Sequence, residues 1–465
     1  MSAHKNPRQF PANTREALAN APLQKTLERI KLGFQLFRMA AMQELPELES
    51  LRTALAAAKD RALAHLPHYL EQFEKNVIAN GGQVHWARSA SEAIAIVSRI
   101  AREAGVKRIV KSKSMLTEEI GLNAPLIRDG FEVVETDLGE YIIQLRDEPP
   151  SHIIAPAFHL SRADVTQSFR AAHTHLDPKR DIDDRKSLVR EARQVLREKF
   201  LAADLGITGA NALIAETGTV CLVTNEGNAD LSMTHPRVHV AIAGIEKILP
   251  AMDDLALQLR LLGRSASGQR MTVYTSLRSG PRKAGDADGP EAFHVVLVDN
   301  GRSQLMRAET REVLRCIRCA ACLNHCPVYA SVGGHAYGVT YPGPIGAAFQ
   351  PAISGIAATH HLPSASSFCG RCESVCPAKI PLTRIMRHWR ERGFGKGVAE
   401  TPNAIALKLF AFAARHPRLF RAAMKLARPF WHLPFGPMAK WRKHRNAPPA
   451  PAGSFVARVQ QRRKP

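Results

Sequence analysis

The sequence predicts an α/β domain with a mainly parallel sheet, followed by a cysteine-bearing module of different character. Three observations point there. Between about residue 80 and residue 300, short apolar runs alternate with stretches of helical period, the βαβ rhythm of a parallel sheet covered by helices. Beyond residue 300 that rhythm stops, and seven of the eight cysteines fall between Cys316 and Cys376. Both ends of the chain carry helical patterning instead.

At 465 residues the chain has room for roughly three ordinary domains. Four segments are expected: a helical N-terminal segment over 1–70, the α/β domain over 71–300, the cysteine module over 301–395, and a helical basic extension with a flexible tail over 396–465. Positions 26–42 and 51–68 have a 3.6-residue period without the glycine and β-branched density of strands. Near residue 80 the period changes. Positions 84–86 read as a strand and 91–104 as a helix with Ile94, Val97, Ile100 and Ala101 on one face, closed by Gly105. Short buried strands follow at 106–110 and 131–134. A charged helix over 184–202 leads into the most strand-rich stretch, 207–250, where Glu216-Thr217-Gly218 reads as a turn joining two strands. Runs at 238–243 and 295–298 extend the sheet, which closes the domain near residue 300. Residues 380–432 are helical by pattern, and the Pro/Ala stretch 446–454 cannot bury a core.

Cys316, Cys319, Cys322 and Cys326, followed by Pro327, form CxxCxxCxxxCP, the bacterial ferredoxin run whose fourth cysteine ligates the other cluster. Its partner run is Cys369, Cys372 and Cys376, followed by Pro377, with Ser366 where a leading cysteine would stand. Two [4Fe-4S] clusters are therefore expected. By the crossing rule, cluster 1 takes Cys316, Cys319, Cys322 and Cys376, while cluster 2 takes Cys326, Cys369 and Cys372. Seven thiolates face eight ligand positions, so either Ser366 ligates the last iron, or an exogenous or partner ligand does, or the cluster has three irons. Of these, the exogenous or partner ligand ranks first and Ser366 second. Zinc is disfavoured, because seven cysteines divide poorly into sets of four and a triple run before proline is not a zinc spacing. Cys221, in an alternating strand, reads as a small buried hydrophobe. The Gly/Pro-rich 333–346 reads as a shaped loop able to cover a cluster, and His325 and His335 beside the ligands as hydrogen-bonding or surface residues.

Composition narrows the class. Hydrophobic residues make up 45% and charged residues 23%, the balance of a folded globular protein. The first residues have no apolar core of signal-peptide length and no run approaches about 18 apolar residues, so a cytoplasmic protein is expected. The net charge of +22 raises nucleic acid as a partner, but no recognition motif accompanies the dispersed basic residues and none is expected. The densest basic group, Lys440, Arg442, Lys443 and Arg445 with Arg462, Arg463 and Lys464, reads equally as a solvated tail or as a dock for an acidic partner or anionic lipid.

Several segments together resemble the iron-sulfur lactate utilization protein B family. They are RCIRCAACLNHCPVY (315–329), GGHAYGVTYPGPIG (333–346), FCGRCESVCPAKIPL (368–382), ITGANALIAETGTVCLVTNEGN (207–228), KSKSMLTEEIGLN (111–123) and GPEAFHVVLVDNGRS (289–303). The resemblance implies a component of a three-protein system that oxidises L-lactate to pyruvate. It further implies that roughly 70–300 is a LUD domain related in fold to sugar-phosphate isomerases and CoA transferases. The cysteine module then looks like the all-helical ferredoxin-like module of succinate dehydrogenase and heterodisulfide reductase subunits, followed by the family's own C-terminal extension. A count of seven cysteines is usual in that family.

Within the α/β domain, Glu216 is a carboxylate on a turn at strand ends, where open α/β sheets bind ligands; the plainer reading is a solvated turn residue. Lys111 and Lys113, with Ser112 and Ser114, follow a strand and can receive an anion, or simply form a polar loop. No nucleotide, flavin or nicotinamide motif is present, and no catalytic residue is assigned. The expected role is electron transfer through two clusters alongside other subunits of a lactate-utilization system. The alternatives are a cluster-bearing enzyme that binds substrate at the three-thiolate cluster or in the LUD pocket, and a scaffold or regulator.

Overall fold

In the computed structural model the strand-forming runs become β1 (Gln83–Ala87), β2 (Arg108–Lys111), β3 (Glu132–Glu135), β4 (Leu205–Thr208), β5 (Ala212–Ile214), β6 (Thr219–Thr224), β7 (Val238–Gly244), β8 (Ile248–Leu249), β9 (Tyr274–Arg278) and β10 (Ala292–Val298). The structure describes residues 5–307, 309–398 and 401–427, with Val459 and Arg462. The linker at 446–454 and the basic residues Lys440, Arg442, Lys443, Arg445, Arg463 and Lys464 lie outside the described residues. No helix among the described residues is long and apolar enough to cross a membrane.

Six strands form a wholly parallel sheet in the order β1-β10-β7-β4-β2-β3. Its central strands are buried and mostly apolar because helices cover both faces: β7 buries all seven of its residues, His239 included. The fold is thus α/β with a mainly parallel sheet, followed by a helical module. One part of the strand-rich stretch leaves this sheet. β5 and β6 pair antiparallel and join β8 and β9 in a second sheet of order β8-β5-β6-β9. The reason is the short Glu216-Thr217-Gly218 turn, since a tight turn can join only antiparallel neighbours and the large sheet is all parallel.

Helices run through the N-terminal segment as α1 (Phe10–Ala19), α2 (Ala21–Ile30), α3 (Leu36–Gln43), α4 (Leu48–Ala64) and α5 (Leu66–Ala79). α5 runs nine residues past position 70 and covers one face of the large sheet, burying Phe73 and Val77 against Ala241, Val295 and Leu297. Each such side chain contributes about 1.5–3 kcal/mol. α6 (Ala90–Glu103) and the short α7 (Met115–Glu119) cover the opposite face through Val97, Ile100 and Leu116. Gly218 has φ +65°, and an added Cβ would lie 2.5 Å from the Val77 nitrogen, so the turn and α5 approach as closely as backbones can.

α2 and α4 do more than lead in. Leu27, Ile30, Leu51 and Leu55 enter the same core as Cys319, Cys326, Cys372 and Cys376. Polar side chains then clamp the cysteine loops: Arg38 donates to the Val375 carbonyl at 2.9 Å, Arg52 to that of Cys376 at 2.8 Å, and Gln35 to that of Asn324 at 2.7 Å. The stretch 333–346 is only partly loop, because a 3-10 turn forms at His335–Tyr337 and a helix, Gly343–Ile353, begins with Pro344 in its first turn. The chain falls into two units, Met1–Gly393 and Phe394–Pro465. In the second, Thr401–Arg415 and Pro417–Ala427 are helical, with the rings of Phe410 and Phe420 edge-on at 6.2 Å.

Candidate metal centres and an adjoining cavity

The cysteine loops curl through backbone conformations that side chains avoid. Of the six non-glycine residues with positive φ among the described residues, Arg318, Ala320, Phe368 and Lys379 lie in these loops. The curl turns backbone N–H groups toward sulfur. Arg318 N–H donates to Cys316 Sγ at 3.4 Å and Ile380 N–H to Cys376 Sγ at 3.5 Å. Backbone N–H groups of Ala321, Tyr329, Arg371 and Glu373 also favour the charged forms of Cys319, Cys326, Cys369 and Cys372.

The folded loops gather the thiols around two spaces. One is walled by Cys316, Cys319, Cys322 and Cys376, together with Ile153 and Ile345. The other is walled by Cys326, Cys369 and Cys372, with Ser366 and Ser367 and the ring of Pro344. Among the described residues no three His, Cys, Asp or Glu side chains converge closely enough to hold a single metal ion, so each set surrounds a space rather than a point. A donor set of thiols served by backbone N–H groups fits an iron-sulfur cluster. Burial pushes Cys319 and Cys372 up to about 12 and Cys376 up to about 11, whereas the Arg371 N–H lowers Cys369, which is exposed. Ligation therefore expels protons from most of these sulfurs.

Ser366 stands beside the three-thiol space, but its Oγ already accepts from Phe368 N–H at 3.2 Å. His325 lies against the Ala321 carbonyl at 2.9 Å and His335 against that of Pro149 at 2.8 Å. Cys221 is fully buried in β6, where burial raises its thiol to about 12.

A larger cavity of about 360 Å³ opens at the carboxyl ends of β2, β4 and β7. Its far wall is the first cysteine loop, contributing Ile317, Arg318 and Cys319. A buried charge network ties the two walls together. Arg302 donates to Glu246 at 2.6 Å and to both oxygens of Glu119 at 2.9 Å; Arg318 pairs with Glu246 at 3.4 Å, and Tyr341 donates to Glu119 at 2.8 Å. The Arg318 guanidinium also lies over the rings of Tyr341 and Phe349, at 4.3 and 4.6 Å. Burial alone would raise the Glu246 carboxyl, but Arg302, Arg318 and Lys247 more than offset it and hold it at about 2. Nothing in the sequence marks Arg302, Glu246 or Arg318 as partners, because they come from three distant segments. The one local sign is a lone charge in the otherwise apolar run between Cys316 and Cys322.

The two lysines of the strand-end loop have different surroundings. Lys111 is fully buried and paired with Glu135 at 2.8 Å and Glu118 at 3.3 Å; burial opposes its charge, but these acids hold its pKa above the usual lysine value. It does not line the cavity. Lys113 does, and its Nζ is buried without a hydrogen-bond partner. Glu216 lies away from the cavity, exposed on its turn, where it accepts from Met252 N–H at 3.1 Å and caps the helix Met252–Ala266.

Residues 70–298 match the LUD domain family and residues 312–380 the 4Fe-4S dicluster domain family. Curated relatives extend over nearly the whole chain. An uncharacterized electron transport protein of Escherichia coli strain K12, YkgF, is 40% identical over 96% of this chain and 95% of its own. Lactate utilization protein B of Bacillus licheniformis is 44% identical over 92% and 91%, and that of Lysinibacillus sphaericus 40% over 98% and 97%. A crystal structure of a DUF162 family protein from Deinococcus radiodurans aligns with 50% of this chain and 98% of its own at 16% identity, with a TM-score of only 0.28.

Proposed function

This chain belongs to the lactate utilization protein B family, and from that premise we propose that it is the iron-sulfur electron-transfer component of an L-lactate oxidation system, acting with partner subunits as lactate becomes pyruvate. The observation that carries the reading is the pair of thiol-lined spaces. Cys316, Cys319, Cys322 and Cys376 would hold one [4Fe-4S] cluster, and Cys326, Cys369 and Cys372 the other. When bound, such clusters supply one-electron acceptance and release, at potentials tuned by hydrogen bonds to sulfur and by exposure. This chain's own part is to aim backbone N–H groups at the sulfurs, to keep Arg38 and Arg52 beside Cys376, and to bury the first site more deeply than the second. Lactate oxidation releases two electrons and two protons, and partner subunits and an acceptor complete that reaction.

The fourth iron of the three-thiol site takes an exogenous or partner ligand. Two facts support this over Ser366: the serine oxygen is already hydrogen-bonded, and Cys369 is exposed, which leaves that edge open to an incoming group.

The decisive experiment is anaerobic purification with the partner subunits, followed by iron and sulfide analysis and EPR during lactate addition. Two clusters reduced by lactate are expected. A chain that still supports growth on lactate after Cys316→Ser and Cys369→Ser would overturn the role.

A further inference from the structure

The cavity beside the first cysteine loop is built as a site, and neither the clusters nor the hydrophobic core accounts for it. Its volume of about 360 Å³ falls in the range of small-molecule pockets, ~300–1,000 Å³. It lies at strand carboxyl ends, where open α/β sheets take ligands. Two of its cations are incompletely paired. Lys113 Nζ is buried and makes no hydrogen bond; Arg318 uses Nη2 on Glu246, while its Nη1 is buried with no partner. Leaving a buried charged donor unsatisfied costs free energy that nearby acids could have offset. Lys111, two residues earlier on the same loop, is an internal contrast, since Glu118, Glu135 and Thr117 together take its three N–H donors. The fold gives one lysine direct partners and leaves the other, near Glu140 and Glu226 but hydrogen-bonded to neither, facing the cavity.

We propose that this cavity binds a small monocarboxylate anion, held by Lys113 and Arg318 against the loop that carries Cys319. The charges on its walls select the class. Lys113, Lys247, Arg302 and Arg318 stand among Asp137, Glu226 and Glu246, and Arg302 is also neutralised by Glu119 behind the wall, so the donors left open to a ligand are Lys113 Nζ and Arg318 Nη1. Glu246 is occupied by Arg302, and Asp137 caps the helix Leu138–Leu145. Two open donors suit the two oxygens of a single carboxylate, whereas a phosphate dianion would bring more charge against the remaining acids. No glycine-rich phosphate loop lines the walls. The rings of Tyr341 and Phe349 hold the Arg318 guanidinium in place before any ligand arrives. Because Cys319 lies on the same wall, a bound carboxylate sits beside the four-thiol site; this meaning, though not the binding itself, rests on the electron-transfer reading.

The test uses the anaerobic full-length chain, with pyruvate as probe and inorganic phosphate as competitor, in equilibrium dialysis. Saturable pyruvate binding is expected, weakened at least tenfold by Lys113→Met. That variant should lower the melting temperature less than Lys111→Met, because Lys113 makes no direct ion pair or hydrogen bond whereas Lys111 makes several. Pyruvate should also shift an EPR signal of the reduced chain, and Lys113→Met should abolish the shift. The proposal is overturned if pyruvate does not bind, if Lys113→Met binds it equally well, or if phosphate displaces it at equal concentration. Iron analysis of the same samples separates the two readings. Binding without clusters would sink electron transfer alone; two clusters without binding would sink this site alone.

Discussion

Replacing Glu246 by Gln tests the strut that joins the sheet to the first cysteine loop. The carboxyl is 2% exposed and held at about 2, against an ordinary 4.5. A displacement of that size corresponds to about 3 kcal/mol of stability at neutral pH. Breaking a buried ion pair gives a similar scale by an independent route, ~3–5 kcal/mol. The lower end applies here, because Arg302 gives up one acid but keeps both oxygens of Glu119, and only Arg318 is left without an acid. The sign is that of a depressed carboxylate: its contribution is complete above pH 4.5 and is lost as pH falls toward 2. By pH 3 less than half remains, about 1.4 kcal/mol. Thermal and urea unfolding of the anaerobic protein should therefore place Glu246→Gln about 4 °C below the unaltered chain at pH 7, with the gap narrowing as pH is lowered to 3. Equal midpoints at pH 7, or a gap that does not change with pH, would refute the reasoning.

Three further outcomes can be measured. Cys376→Ser should deplete the same cluster as Cys319→Ser, and Cys326→Ser the same cluster as Cys372→Ser, as read by iron content and EPR line shape; loss grouped by sequence run rather than across runs would contradict the crossed assignment. Gly218→Ala, at φ +65° with an added Cβ 2.5 Å from the Val77 nitrogen, should destabilise the fold by about 2 kcal/mol or more, measured by urea denaturation. Burial, with Asp137 nearby, pushes Glu226 up to about 7 while Lys113 opposes that rise, so protonation near neutrality removes one acid from the cavity wall. Pyruvate should consequently bind more tightly as pH falls from 8 to 6, and Glu226→Gln should flatten that dependence in dialysis.

The local chemistry was legible from residue spacing because it is local. The cysteine runs, the βαβ rhythm and the turn at Gly218 each occupy a few consecutive residues, and Gly105 and Asp184 bound their helices as their types require. The loop reading of 333–346 fell short because Pro344, a breaker inside helices, starts one equally well.

Which partners those residues meet was decided by tertiary structure. Lys111 and Lys113 are equivalent in sequence terms, yet one lies among Glu118 and Glu135 and the other faces a cavity, because Glu135 comes from β3 and the opposite wall from the cysteine loop. Glu216, open in sequence between a ligand carboxylate and the plainer solvated turn residue, is exposed on its turn and accepts from Met252 N–H. The strut of Arg302, Glu246, Glu119 and Arg318 had no sequence signature, since its ion pairs span as many as 183 positions. Spacing determines which atoms a short loop can gather around a cluster; only long-range packing determines which charges are left unpaired beside it.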